Sequence, residues 1–276
     1  MSPAPGRPLK GGAAPAPKTI RVGVSSCLLG REVRWNGTHK RHPYLASVLG
    51  RHVEWVPVCP EEELGLGVPR EPIQLEGDPR SPRLISRTTR ADLTARMRAF
   101  ARRRVRSLEA LDLCGYVLKA DSPSCGMERV RVHGRSPGRG TQGVGAFARV
   151  LMERLPLLPV EEEGRLDDAP LRENFIERVF AFRRLKDLLA TGPSARGLIA
   201  FHTRHEILVL AHSPEHDRRL GRLVAQARGA RARAVARRYA ELFMQALRVP
   251  ATPRQHARAL RRVLGLPREL LLRDHV

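Results

Sequence analysis

Aromatic residues are scarce in this 276-residue chain: two Trp, three Tyr and seven Phe, or 4% of the whole. A surface that grips single strands by stacking successive bases is therefore not advertised. Acids are also short, at 28 against 50 bases, and only five of those bases are Lys. No run approaches the roughly 18 consecutive apolar residues of a membrane span, and the N-terminus lacks a charged-then-apolar leader. A cytoplasmic protein with no membrane partner is expected. The four cysteines include no closely spaced pair, and in that compartment disulfides are disfavoured.

What is abundant is positive charge. The net charge is +22, with +13 over residues 1–160 and +9 over 161–276. Biased codon usage explains Arg in place of Lys but not the deficit of acids. A polyanionic partner is expected, since each phosphate neutralised releases condensed counterions.

Residues 1–18 are Pro, Gly and Ala without periodicity and are expected to be a disordered leader. TIRVGVSS (19–26), HVEWVPV (52–58) and LCGYVLKA (113–120) have the length and composition of buried strands. Helical patterns lie between them: HPYLASVLGRH (42–52), an amphipathic run over 92–111, and GVGAFARVLMERL (143–155). PLLPVEEEG (156–164) reads as a last strand with its exit turn. This alternation predicts an α/β domain with a Rossmann-like parallel sheet over residues 19–160. From Leu171 five helical segments follow one another, separated by Gly, Pro and Ser, so residues 171–276 are expected to be an all-α domain that grips RNA. The acidic stretch 161–170 reads as the linker, and RGARARAVARR (228–238) as the best basic segment of the helical half.

Cys27, Cys59 and Cys125 each follow a predicted strand. In an open parallel sheet ligands bind at the carboxyl ends of the strands, so three strands deliver thiols to the edge where sites form. Cys114 starts its strand, about 17 Å from that edge at ~3.3 Å per residue, and reads as packing. The three strand-end cysteines admit several readings. Structural zinc takes four ligands with closely spaced pairs, which are lacking. An iron-sulfur cluster on three cysteines leaves one iron open to substrate. Three small core residues are the plain alternative, but SSCLLG, CPEEELGLGVPREP and SPSCG surround the thiols with the composition of shaped turns. His202, His205 and His212 lie on one predicted helix with no carboxylate at ligand spacing and are expected to pack or contact RNA rather than bind metal. The run RRRVR (102–106) is a solvated helix face or a phosphate-following stripe.

These turns resemble the thiouracil desulfidase family. VSSCLLG (24–30), RWNG (34–37), CPEEELGLGVPREPIQL (59–75) and LKADSPSCG (118–126) stand in the family's order across most of residues 19–160. The helical half, with FHTRHEILVLAHSP (201–214), resembles an uncharacterised domain often fused to that family, an architecture similar to desulfidases of 4-thiouridine in tRNA. The resemblance implies a 4Fe-4S cluster on Cys27, Cys59 and Cys125 with one open iron. It also implies a thionucleobase substrate whose C=S becomes C=O with release of sulfide and no net redox change; soft iron favours sulfur over oxygen and acts as a Lewis acid. Glu61 is the first choice for activating water, and Ser122 the second, as donor or positioning hydroxyl. Ser25, Ser26 and Ser124 are expected to shape the ligand turns or hydrogen-bond cluster sulfurs. Glu62 and Glu63 are expected to be solvated. Asn36 stands where the family more often carries Asp, so no carboxylate role passes to it. The reading is an iron-sulfur desulfidase of tRNA 4-thiouridine; its alternatives are a desulfidase of free thiouracil or thionucleosides and a non-catalytic nucleic-acid-binding iron-sulfur sensor.

Overall fold

The computed structural model describes residues 19–134, 141–227 and 231–265; the expected leader (1–18) and the first three residues of the basic segment 228–238 lie outside them. Its α/β half opens with β1 (Arg21–Ser25), β2 (Glu54–Val58), the one-turn α1 (Pro60–Glu63), β3 (Ile73–Glu76), β4 (Arg83–Ser86) and α2 (Thr94–Ala110). It continues through β5 (Gly115–Leu118), β6 (Val130–His133), β7 (Thr141–Gly143), α3 (Ala146–Arg154) and β8 (Val160–Glu162). Five helices follow: α4 (Ala169–Ala190), α5 (Ala195–His212), α6 (Pro214–Ala225), α7 (Ala232–Ala246) and α8 (Pro253–Leu264).

Strands β2-β1-β5-β8 form a parallel sheet in that order. The chain runs from β1 to β2 on one side, then crosses to β5 on the other, so the order reverses between β1 and β5. A reversal of this kind opens a crevice at the carboxyl ends of the two strands. Both faces of the sheet are covered, which is why β5 is buried at every position and reads as a continuous apolar run. Tyr116 and Leu118 join α2 and α3 in one core through Met97, Phe100, Val105, Phe147 and Leu151. Val22, Val24 and Val117 join Leu28, Leu45, Leu49, Phe175 and Val179 on the opposite face.

Three features differ from the sequence expectation. A second four-stranded sheet, β4-β3-β6-β7, packs its Leu75, Leu84, Val130 and Val132 onto the α2–α3 core. Its strands are three or four residues long and mix polar residues such as Gln74, Arg83, Arg131 and Gln142 with apolar ones, which hides them from a search for apolar runs. Residues 42–52 form a π-type turn (Tyr44–Val48) and a 3-10 turn (Leu49–Arg51) instead of a regular α-helix. The stretch 161–170 is no linker. Glu161 and Glu162 are buried strand residues, 163–167 is a 3-10 turn, and Asp168 caps α4 by accepting the Leu171 N–H.

The boundary between the halves is instead bridged by α4. Its Phe175 and Val179 lie against the parallel sheet, whereas Ala181 and Leu185 belong to the helical core with Phe201, Val209, Tyr239 and Phe243. Gly115 makes the first contact possible: a Cβ there would sit 2.7 Å from the Val179 side chain. No helix among the described residues is long and apolar enough to cross a membrane.

Candidate active site at the carboxyl edge of the sheet

Cys27, Cys59 and Cys125 face one cavity of about 520 Å³ at the β1/β5 crevice, within the size range of small-molecule sites. Each thiol arrives on a separately built turn. After β1, Ser26–Leu29 make a 3-10 turn closed by Gly30 in the left-handed region (φ 93°), where the Gly30 and Lys40 N–H groups both donate to the Cys27 carbonyl. After β2, Cys59 is the N-cap of α1 with Pro60 in its first turn; the Cys59 N–H donates to Glu63 Oε1 at 3.2 Å. Beyond β5, Ser122 Oγ accepts the N–H groups of Cys125 (3.0 Å) and Ser124 (3.3 Å), folding SPSCG into a compact turn.

The sulfurs sense one another. Burial pushes the Cys27 thiol up to about 11, with a further upward push from Cys59 and an opposing pull from Lys119. Burial raises Cys59 as well. It takes Cys125 well above the ordinary thiol range, reinforced by Glu61, Cys59 and Cys27 and opposed by a hydrogen bond from Ser25. A cation among the three sulfurs would relieve the mutual repulsion of their thiolates, in competition with the protons that burial favours. Three sulfur donors around one cavity suit a soft metal or an iron-sulfur cluster.

Around the thiols stands a charged frame. Glu61 lines the cavity, and its Oε2 accepts both Nη2 (2.8 Å) and Nε (3.0 Å) of Arg70. Arg70, 5% exposed at its side chain, also donates to the Val33 and Gly67 carbonyls, while its backbone N–H donates to Trp35 O. One arginine thus ties the RWNG loop to the CPEEE turn and holds the Glu61 carboxylate through Oε2. On the opposite wall Lys119 pairs with Glu163, and Glu163 Oε2 accepts the Ala120 N–H at 2.7 Å. Arg34, Trp35, Lys40 and Arg87 line the cavity, and all but Arg34 are exposed.

The expected residues fall into distinct positions. Glu61, Ser122 and Ser26 line the cavity together with Ser25, whose Oγ accepts the Lys119 N–H and whose hydroxyl serves Cys125. Ser124 is fully buried, and its Oγ has no hydrogen-bond partner; such an orphan beside Cys125 is a donor open to a sulfur acceptor. Glu63 is exposed, as expected, and is also held in place: its Oε1 accepts the Cys59 N–H and its Oε2 pairs with Arg104 at 2.7 Å. Asn36 accepts the Thr38 hydroxyl at 2.7 Å within its own turn. The sequence reading missed Arg70, Lys119 and Glu163, although Lys119 stands in the same quoted segment as Cys125. Cys114 lies apart, fully buried with its S–H directed to the Asp112 carbonyl.

The three histidines of α5 do not converge. His202 meets the Tyr239 hydroxyl at 3.1 Å and His205 bonds the Phe201 carbonyl; His212 turns instead to a carboxylate, Glu177, 3.2 Å away on α4.

Comparison with known proteins places this geometry. A solved 4Fe-4S-dependent thiouracil desulfidase, TudS, is 29% identical and matches 56% of this chain and 97% of its own with a TM-score of 0.46. The uncharacterized protein YbbK of Bacillus subtilis (strain 168) is 29% identical over 135 residues, 47% of this chain and 88% of that protein. A family model described as a protein of unknown function, DUF1722, matches residues 207–274 in the helical half. The family model of 2-thiouracil desulfurase matches residues 22–163, the stretch that builds the parallel sheet and every wall of the thiol-lined cavity, and the chain belongs to that family.

Proposed function

We propose that the chain is a desulfidase of 4-thiouridine in tRNA and that Cys27, Cys59 and Cys125 hold a 4Fe-4S cluster in the crevice. The observation that carries the reading is the convergence of three thiols on one cavity whose walls also hold Glu61 and whose mouth is basic. The cluster, when bound, supplies a soft Lewis acid that prefers sulfur over oxygen. The protein supplies the rest. Glu61 Oε1 takes a proton from water as it approaches the ring carbon, and Arg70 holds that carboxylate in place. Lys119 and the Ser122 hydroxyl lie on the facing wall, placed to donate to the ring or to the departing sulfur. Trp35, 44% exposed, offers a face on which the base stacks.

For tRNA as substrate the support is the distribution of charge. Arg34, Lys40 and Arg87 line the cavity. Arg102, Arg103 and Arg106 are exposed along α2, and Arg219, Arg222 and Arg238 line a second cavity of about 200 Å³ between α6 and α7. A backbone of phosphates fits such a series.

The test is anaerobic reconstitution followed by nucleoside analysis of thiolated tRNA: loss of 4-thiouridine with stoichiometric sulfide is expected, and unchanged 4-thiouridine overturns the reading. Free thiouracil is the second reading, favoured by the matched family's description. The triple variant Arg219→Ala, Arg222→Ala, Arg238→Ala separates the two. With tRNA as substrate the salt slope of binding flattens by about 2–3, while turnover of free thiouracil stays unchanged under either reading.

A further inference from the structure

Far from the thiol-lined cavity, Glu177, His212 and His256 bring one carboxylate and two imidazoles together, with one donor atom from each within 4.8 Å of the others. We propose that these three residues bind a Zn²⁺-class divalent ion that fastens α8 to α4 and α5. Glu177 is on α4, His212 is the last residue of α5, and His256 lies in the first turn of α8. They stand 35 and 44 residues apart in sequence, which is why no ligand spacing is visible there.

The protonation pattern around His212 argues for a cation. Its Nδ1 lies in close hydrogen-bonding contact with the Val249 carbonyl, an acceptor, so Nδ1 carries the hydrogen. In the neutral ring Nε2 is then a bare lone pair, and it points at Glu177 Oε2 from 3.2 Å. Two lone pairs do not face each other at that distance without a positive charge between or upon them. The His212 side chain is fully buried and Glu177 is 35% exposed. A ring nitrogen oriented by a backbone carbonyl through its other nitrogen is the usual setting of a metal-bound histidine. Donors bound at ~2.1 Å around a tetrahedral ion lie about 3.4 Å apart, so the His212–Glu177 pair is already at bonding separation. His256, whose ring is 5.8 Å from that of His212 and nearly perpendicular to it, closes in by a side-chain rotation.

The donor set fixes the class of metal. Two imidazole nitrogens and one carboxylate oxygen suit Zn²⁺, or Co²⁺ and Ni²⁺ as probes, and disfavour Mg²⁺ and Ca²⁺, which want oxygen. Three protein ligands leave a position for water on the side where Glu177 meets solvent. The fold supplies a reason for such a clamp. Ala259 is the buried residue of α8 and belongs to a small apolar cluster with Leu210 and Ala211, whereas Leu260, Val263 and Leu264 of the same helix are exposed. That contact is made against α5, and a metal at the start of α8 adds a polar fastening that also reaches α4.

The experiment uses the full chain with its cluster anaerobically reconstituted, so that the thiols are occupied. After equilibration with Zn²⁺ and removal of loosely bound metal on a weak chelating resin, iron and zinc are counted per chain. The proposal expects about one zinc in the wild type. In Glu177→Gln and His256→Ala, both partly exposed and expected to fold, zinc should fall to near zero or its affinity should drop by at least about tenfold to a hundredfold, at unchanged iron content. Zinc should also raise Tm by about 5 °C in the wild type alone and slow amide exchange over residues 251–265. Absence of zinc, with Tm indifferent to zinc and to chelator, means that a protonated His212 simply pairs with Glu177, and overturns the proposal. Equal zinc in wild type and both variants places the metal elsewhere and overturns it as well.

Discussion

Strand β5 is flanked by two cysteines, Cys114 just before it and Cys125 on the turn beyond it, and the pair shows how differently one fold can surround a buried thiol. Burial does not distinguish them, since Cys114 is 0% and Cys125 6% exposed. At the amino end α4 closes the sheet: Asp112 is paired with Arg183 and Lys186, and Lys186 also donates to the Leu113 carbonyl. Cys114 lies apart from the other thiols with its S–H on the Asp112 carbonyl, although its neighbours Asp112, Leu113 and Lys186 line a separate cavity of about 360 Å³. At the carboxyl end the strand runs into a turn that leaves a cavity, a second and third sulfur, and an ionised frame. Equally buried, the two cysteines differ in that Cys125 shares a cavity with two further thiols and Cys114 with none.

The largest effect that tests this contrast is all-or-none. Alanine in place of Cys27, Cys59 or Cys125 is expected to abolish cluster retention, measured as iron and acid-labile sulfide per chain, while Cys114→Ala keeps both. Retention in any of the first three breaks the comparison. Next, Glu61→Gln preserves shape and removes the proton acceptor, so kcat is expected to fall by about 10²–10⁴ with cluster content unchanged; a fall below tenfold removes Glu61 from the chemistry.

A smaller, graded effect sits on the thiols themselves. In the metal-free chain Cys27 is raised to about 11, so well below pH 9 its thiolate fraction is about 10²-fold lower than that of an ordinary thiol. Alkylation mapped by mass spectrometry should therefore keep accelerating from pH 9 to 11, about ninefold over the first unit and about fivefold over the second, where an ordinary thiol is levelling off; a plateau by pH 9 contradicts the burial that raises Cys27. The smallest effect belongs to the amino edge. Gly115→Ala pushes a methyl into Val179 and is expected to cost about 1–3 kcal/mol, seen as a Tm lower by several degrees at unchanged cluster content.

Much of this arrangement is legible in the sequence because local signals agree with the tertiary outcome. The runs ending at Ser25, Val58 and Leu118 are apolar and β-branched, and the turns after them carry the Gly, Pro and Ser that shaped loops need. The five helices after Asp168 follow from periodicity and from caps such as Ser194, Ser213 and Thr252, each of which accepts a backbone N–H in the first turn. What escapes is whatever depends on partners far along the chain. Arg70 is one base among 50 until the fold sets it on Glu61. Glu163 belongs to an acidic run that reads as solvent-facing until β8 carries it beside Lys119. The strands Arg83–Ser86 and Val130–His133 hold charges at the positions that face away from the core, so composition disguises them.

Helix α4 leaves the molecule without a seam. One stretch of its surface completes the floor beneath the sheet and the next seeds the bundle, so no cut between residues 169 and 190 yields two finished pieces. A shorter enzyme made from the α/β half alone inherits a bare greasy wall over Val22 and Val117 that some other segment must roof. Strain arriving at the bundle has a stiff rod along which to reach the sheet.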